Sequence, residues 1–307
     1  MSPRDRSSER RDLNAVLLLD KPRGISSNAA LQCAKRLLRA AKAGHAGTLD
    51  PLASGLLPVL FGEATKFADD LLGADKEYLA SVQLGVVTGT GDLEGEVLER
   101  RLVALDTARI ESAVARFRGA IEQVPPMYSA LKHGGRPLYA LARQGRTVER
   151  AARRVTIHAL DVLGRSGDVL ELRVRCSKGT YIRSLADDLG RALGCGACIA
   201  ALRRTAIAGF TVEQAVTLDA LEGSQEAARE ARLLPPDSLL QALPRVDLPG
   251  EMAMRFGYGQ LVRPDAAARG RCRVYGAGKT LLGVGMMEAG GELRPLRLIA
   301  VQMSASG

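Results

Sequence analysis

Residues 44–58, Gly44-His45-Ala46-Gly47-Thr48-Leu49-Asp50-Pro51-Leu52-Ala53-Ser54-Gly55-Leu56-Leu57-Pro58, gather residue types that could do chemistry around one carboxylate. Asp50 is the only acid there, among Gly44, Gly47, Gly55, Pro51, Pro58 and a single histidine, His45. Glycine lets a backbone take positive φ or approach a ligand closely, and proline locks the chain beside it. An acid held rigidly in mostly apolar surroundings is a candidate nucleophile or general base. Asp50-Pro51 is equally an ordinary helix start, with aspartate as N-cap and proline at the first helical position. Local spacing leaves both readings open.

Three further side chains have a chemical and a structural reading each. Arg183 falls in the first turn of a helix expected to begin near Thr180, where a cation opposes the helix dipole. It is either an i,i+4 partner of Asp187 on a solvated face or a bidentate clamp on a buried carboxylate, the task arginine performs better than lysine. Pairing of that second kind would keep Asp50 ionised despite burial. Tyr78 lies in an alternating, strand-like segment, where tyrosine is ordinarily core. Lys21 follows a first apolar strand and is either a surface charge or a phosphate contact.

The elements that must position these residues follow from apolar periodicity. Ala15 to Leu19 reads as a buried strand, and Ser26 or Ser27 caps a helix with apolar positions 30, 31, 34, 37, 38 and 41. Strand-like alternation returns at Tyr78 to Val87 and Val169 to Cys176, with a helix at Thr107 to Gly119 between them. One-sided strands between helices imply an α+β fold in which helices flank a mixed, mainly antiparallel sheet. No phosphate loop or βαβ repeat is present, so no NAD or ATP site is expected.

The chain has 307 residues, 46% of them apolar, a formal charge of +9 and a pI near 9.6, which suggests a polyanionic partner. The stretch 132–154 carries seven basic residues (Lys132, Arg136, Arg143, Arg146, Arg150, Arg153 and Arg154) against the single acid Glu149. Such a run is ordinarily a solvated face, but the near absence of acids and the Gly134-Gly135 break favour an RNA contact. Residues 1–12 are polar and expected to be a disordered tail, not a signal peptide. No apolar run reaches membrane length. The five cysteines (33, 176, 195, 198, 272) lack a second Cys/His pair at zinc spacing, so reduced thiols in a cytoplasmic protein are expected, with no metal. A proline-rich seam at 222–250 separates the main domain from a glycine-rich tail whose short β-prone runs suggest a small all-β module.

The segment GHAGTLDPLASGLLPVLFGEATK (44–66) resembles the catalytic segment of the TruB-type tRNA pseudouridine synthases. LLLDKPRGISS (17–27), DKEYLASVQLG (75–85), CSKGTYIRSLADDLG (176–190) and LRRTAIAGF (202–210) resemble further family motifs in the family's order. The C-terminal run from FGYGQLV through GELRPLRLI resembles the PUA domain, an RNA-binding module. The resemblance implies a catalytic domain over 13–240 with an RNA-binding insertion at about 124–154, and a PUA-like domain over 245–307. It makes Asp50 the catalytic carboxylate, Arg183 the catalytic arginine and Tyr78 the platform for the target base, with Leu202 as the apolar residue beneath it. Asp92, within TGTGDLEG, joins the arginine network; Lys21 supports the active-site loop; His45 stacks in the place left by the flipped base. Gly89 stands where the family usually has an acid. The implied activity is isomerisation of uridine 55 in the tRNA T-loop by base flipping, without cofactor, membrane or obligatory protein partner. The alternatives are a guide-RNA-dependent, dyskerin-type subunit and a non-catalytic RNA-binding or tRNA-folding protein.

Overall fold

The computed structural model describes residues 10–300. The expected tail at 1–12 lies outside the described residues as far as residue 9. Of its last residues, Arg11 is tied down, with its guanidinium on Glu226 and Glu230 and its amide on the Arg39 carbonyl.

The main sheet runs in the spatial order β1 (Ala15–Lys21), β2 (Ala53–Phe61), β7 (Ala197–Ile207), β3 (Lys76–Leu84), β6 (Val169–Cys176), β5 (Arg153–Ser166) and β4 (Gly119–Gln123). All these pairings are antiparallel except β2 with β7, which is parallel. The sheet is therefore mixed and mainly antiparallel. Its local cues act as expected: Lys76, Tyr78, Ala80, Val82 and Leu84 point inward along β3, while the residues between them are only half-buried.

Helices α1 (Ser27–Leu37), α2 (Thr107–Ala115) and α3 (Ile182–Leu193) cover one face of the sheet with Ala30, Ala34, Ile110, Val114, Leu185 and Leu189. Ser26 caps α1 by accepting from the Ala29 amide at 3.1 Å. Asp50-Pro51 does not begin a helix. The chain turns there, with the Ala53 amide donating to the Asp50 carbonyl at 3.0 Å, and enters β2 directly.

The C-terminal sheet orders Arg245–Asp247, Gly270–Tyr275, Leu281–Met287 and Leu293–Leu298. The expected all-β module also contains a helix, α4 (Gly250–Gly257), whose Ala253 and Phe256 enter its core. Tyr275, Leu281 and Val284 of the module share a second core with Val16, Leu56, Leu60, Phe67, Leu71 and Leu240. Strands β1 and β2 are thus buried on both faces, which is why they read as nearly continuous apolar runs.

Candidate active site

Asp50 sits at the tip of a turn that several elements hold. Ser27, the first residue of α1, is buried, and its hydroxyl accepts from the Leu49 amide at 2.7 Å and donates to the Leu49 carbonyl at 2.8 Å. The Gly24 amide donates to the Pro51 carbonyl at 2.8 Å. Before and after the turn, Gly47 and Gly55 take φ of +81° and +101°; a Cβ on Gly55 would lie 2.3 Å from the Arg204 carbonyl oxygen, so only glycine fits. These ties aim the Asp50 carboxylate into a cavity of about 290 Å³.

The same cavity is lined by Tyr78 and Lys76 of β3, Arg183 of α3, and Leu202 and Arg204 of β7. Arg183 Nε lies 2.9 Å from Asp50 Oδ2 and 3.8 Å from Asp92 Oδ2. The pairing is not the bidentate clamp expected from the sequence. Nη1 donates instead to the Thr90 carbonyl at 2.8 Å and Nη2 to the Tyr128 carbonyl at 2.6 Å. The guanidinium therefore joins Asp50 to two loops at once, and Asp187 pairs with Arg191 at 2.6 Å.

Burial raises the Asp50 carboxyl above the usual carboxylate range. The Arg183 and Lys21 charges pull it down, Asp92 pushes it further up, and the net direction is upward. Arg183 thus restrains the rise, acting in the direction expected of a pairing that favours the ionised form. Asp50 is nevertheless 39% exposed, toward the cavity, and so remains open to a ligand.

Asp92 is buried behind Arg183 and accepts from Thr90 Oγ1 at 2.6 Å and from the Glu94 amide at 3.2 Å. Gly89, where the resemblance leads one to expect an acid, has open space at its Cβ position, with nothing within 4 Å. Lys21 does not line the cavity. It is fully buried and donates to the Pro22 and Ile25 carbonyls at 2.8 and 2.7 Å, bracing the loop after β1; burial lowers its pKa to about 8. His45 also lies outside the cavity lining, with Nδ1 unpartnered and its pKa lowered by burial and by Arg204.

The basic insertion forms a small hairpin (Lys132–His133 with Arg136–Pro137), a short helix (Leu138–Ala142) and a loop running into β5. Six of its seven named cations are exposed and Arg150 is half-buried; none makes an ion pair among the described residues. Arg143 lies over the Tyr139 ring at 5.6 Å.

Three contributors to the site lie inside the quoted motifs without having been singled out as site residues: Ser27, Lys76 and Arg204. Lys76 donates to the Leu71, Leu72 and Ala74 carbonyls at 3.3, 2.9 and 2.6 Å. Strand parity holds the signal that could have found two of them, because Lys76 shares a face with Tyr78 and Arg204 shares one with Leu202.

Residues 35–182 match the N-terminal domain of the TruB family pseudouridylate synthases, residues 183–254 a tRNA pseudouridylate synthase B C-terminal domain, and residues 244–299 a C-terminal domain of pseudouridine synthase II TruB. The chain is 56% identical to tRNA pseudouridine synthase B of Burkholderia mallei (strain ATCC 23344), over 97% of this chain and 98% of that one. It is 58% identical to the protein of the same name in Ralstonia nicotianae (strain ATCC BAA-1114 / GMI1000), over 94% and 95%. Among solved structures, it resembles a Cbf5-Nop10-Gar1 complex at TM-score 0.68 and 29% identity, covering 89% of this chain and 78% of that one. It also resembles an H/ACA RNP bound to a substrate RNA containing 2′-deoxyuridine at TM-score 0.69 and 25% identity, covering 98% and 89%. The mixed sheet is that of a pseudouridine synthase. The chain belongs to the TruB family of pseudouridylate synthases.

Proposed function

We propose that this protein is a stand-alone, cytoplasmic tRNA pseudouridine synthase that isomerises uridine 55 in the T-loop of the T-arm. The observation that carries this reading is Asp50, held 2.9 Å from Arg183 in a cavity faced by Tyr78 and Leu202, in a chain 56–58% identical to enzymes named tRNA pseudouridine synthase B.

The reaction breaks the C1′–N1 bond, turns the uracil within the pocket and joins C5 to C1′, with the proton lost from C5 balanced by one gained at N1. It is redox-neutral and calls on no cofactor. The target base is first extruded from the loop, at a cost of a few kcal/mol in base-flipping enzymes. Asp50 acts as nucleophile at C1′, as base at C2′ or as nucleophile at C6, and all three routes start from the ionised carboxylate. Tyr78 and Leu202 supply two apolar walls for the base. Tyr78 is buried, which raises its pKa, so its hydroxyl is neutral. The exposed cations of the insertion face the tRNA phosphates, and the C-terminal module adds contacts of its own.

A guide-RNA-dependent role is less well supported. The relatives at 56–58% identity carry the tRNA-enzyme name, whereas the H/ACA structures are 25–29% identical. The test is incubation with an unmodified tRNA transcript, without guide RNA, partner protein or added metal, followed by mapping of pseudouridine. Product at position 55 is the expected result. No product without guide RNA, but product with it, would overturn the stand-alone reading.

A further inference from the structure

Arg204 is the largest fully buried side chain in the described protein, 1% exposed, and it has no carboxylate partner among the described residues. A buried cation without a counter-ion is costly unless hydrogen bonds compensate it. Here Nε donates to the Leu56 carbonyl at 2.7 Å and Nη2 to the Gly47 carbonyl at 3.0 Å. Tyr78 lines the same cavity as Arg204. Register explains this placement: on β7, Arg204 lies opposite Gly55 of β2 on one side and Tyr78 of β3 on the other. Gly47 leaves room for it, since a Cβ there would lie 3.1 Å from Arg204 Nη1.

We infer that Arg204 is the positioning residue of this active site, holding both ends of the Asp50 turn in one frame. The inference rests on the proposed function, in which Asp50 and Tyr78 act on uridine. Gly47 and Leu56 bracket Asp50, so one planar group sets the span of the turn.

The test is single-turnover conversion of an unmodified tRNA transcript by wild type, Arg204→Gln, Arg204→Lys and Gly47→Ala. RNA affinity and melting temperature are measured alongside. Arg204→Gln should lower the rate at saturating enzyme about 100-fold, the scale of a misplaced catalytic group, with affinity little changed. Arg204→Lys should restore little, because an ammonium cannot reproduce the planar fork that reaches the Leu56 and Gly47 carbonyls together. Near-wild-type rates in Arg204→Gln overturn this inference alone. Should the Arg204 variants fail to fold, Gly47→Ala decides, since its Cβ would press on Arg204 Nη1 at 3.1 Å: a rate loss at unchanged affinity supports the frame, and a wild-type rate overturns it. An inert wild-type protein would overturn the proposed function, and this inference with it.

Discussion

Asp50 experiences opposing forces, and their balance is measurable. Burial and the Asp92 charge favour its neutral form, while Arg183 and Lys21 favour the ionised form that the proposed reaction uses. The net pKa lies above the ordinary value, so activity should fall with decreasing pH through a limb displaced upward from the usual aspartate range near about 3.9. A single-turnover rate that stays flat down to that ordinary range would show that the carboxylate is not perturbed. Asp50→Asn should abolish product while leaving tRNA affinity within a few-fold, because the change removes charge and keeps shape. Turnover near wild type would remove Asp50 from the chemistry. Arg183→Lys should be nearly as damaging as a neutral replacement. The reason is the three-way contact to Asp50, Thr90 and Tyr128, which a single ammonium cannot span. Recovery of most activity with lysine would reduce Arg183 to a simple charge.

At the scale of elements, one strand does two jobs through its two-residue period. On β7, Leu202 and Arg204 face inward, while Arg203 between them pairs with Asp20 through two hydrogen bonds at 3.0 and 2.6 Å. The tandem arginines are chemically alike, and parity alone separates a half-buried ion pair from an active-site strut. The insertion works by the opposite logic, since its cations are mostly exposed and make no ion pair among the described residues. Neutralising Arg143, Arg146, Arg150, Arg153 and Arg154 together should weaken tRNA binding and flatten the plot of log affinity against log salt, by up to about 0.9 for each phosphate that the protein no longer neutralises. An unchanged slope with unchanged turnover would make this stretch a merely solvated face. The root of the insertion is joined to α3 by Gln123, which donates to the Tyr181 carbonyl at 3.1 Å and accepts from the Tyr181 amide at 2.8 Å. The basic insertion and the helix bearing Arg183 therefore share an anchor.

For the whole molecule, the shared second core changes what removing the C-terminal module would do. Tyr275, Leu281 and Val284 are buried together with Phe67, Leu71 and Leu240 of the main domain. Two cross-links reinforce the seam: Arg271 pairs with Asp70 at 2.8 Å, and the Tyr275 hydroxyl donates to Asp237 at 2.6 Å. A chain ending at residue 244 should aggregate or melt lower by about 10 °C, because each large apolar side chain uncovered costs about 1.5–3 kcal/mol. A truncated chain that stays soluble and melts within a few degrees of wild type would show that the module is an independent appendage.

Much of this was legible in the chain itself. The buried first strand, the Ser26 cap, the α+β pattern and the main motifs follow from local periodicity and residue type, which act over a few residues. The 44–58 segment also identified Asp50 as the acid to watch, although Asp-Pro alone could not separate a helix start from a turn. What decided for the turn was long-range: Ser27 holding Leu49, Gly24 holding Pro51, and Arg204 filling the space beside Gly47 and Gly55. The geometry of Arg183 was likewise beyond the sequence, because its two terminal nitrogens go to backbone carbonyls of distant loops, and a carbonyl leaves no mark in residue type. Residue chemistry and short-range spacing therefore determined which groups were available. Strand register and close packing, which join positions far apart in the chain, decided which of them met, how many hydrogen bonds each made, and that the direction of the Asp50 pKa is upward.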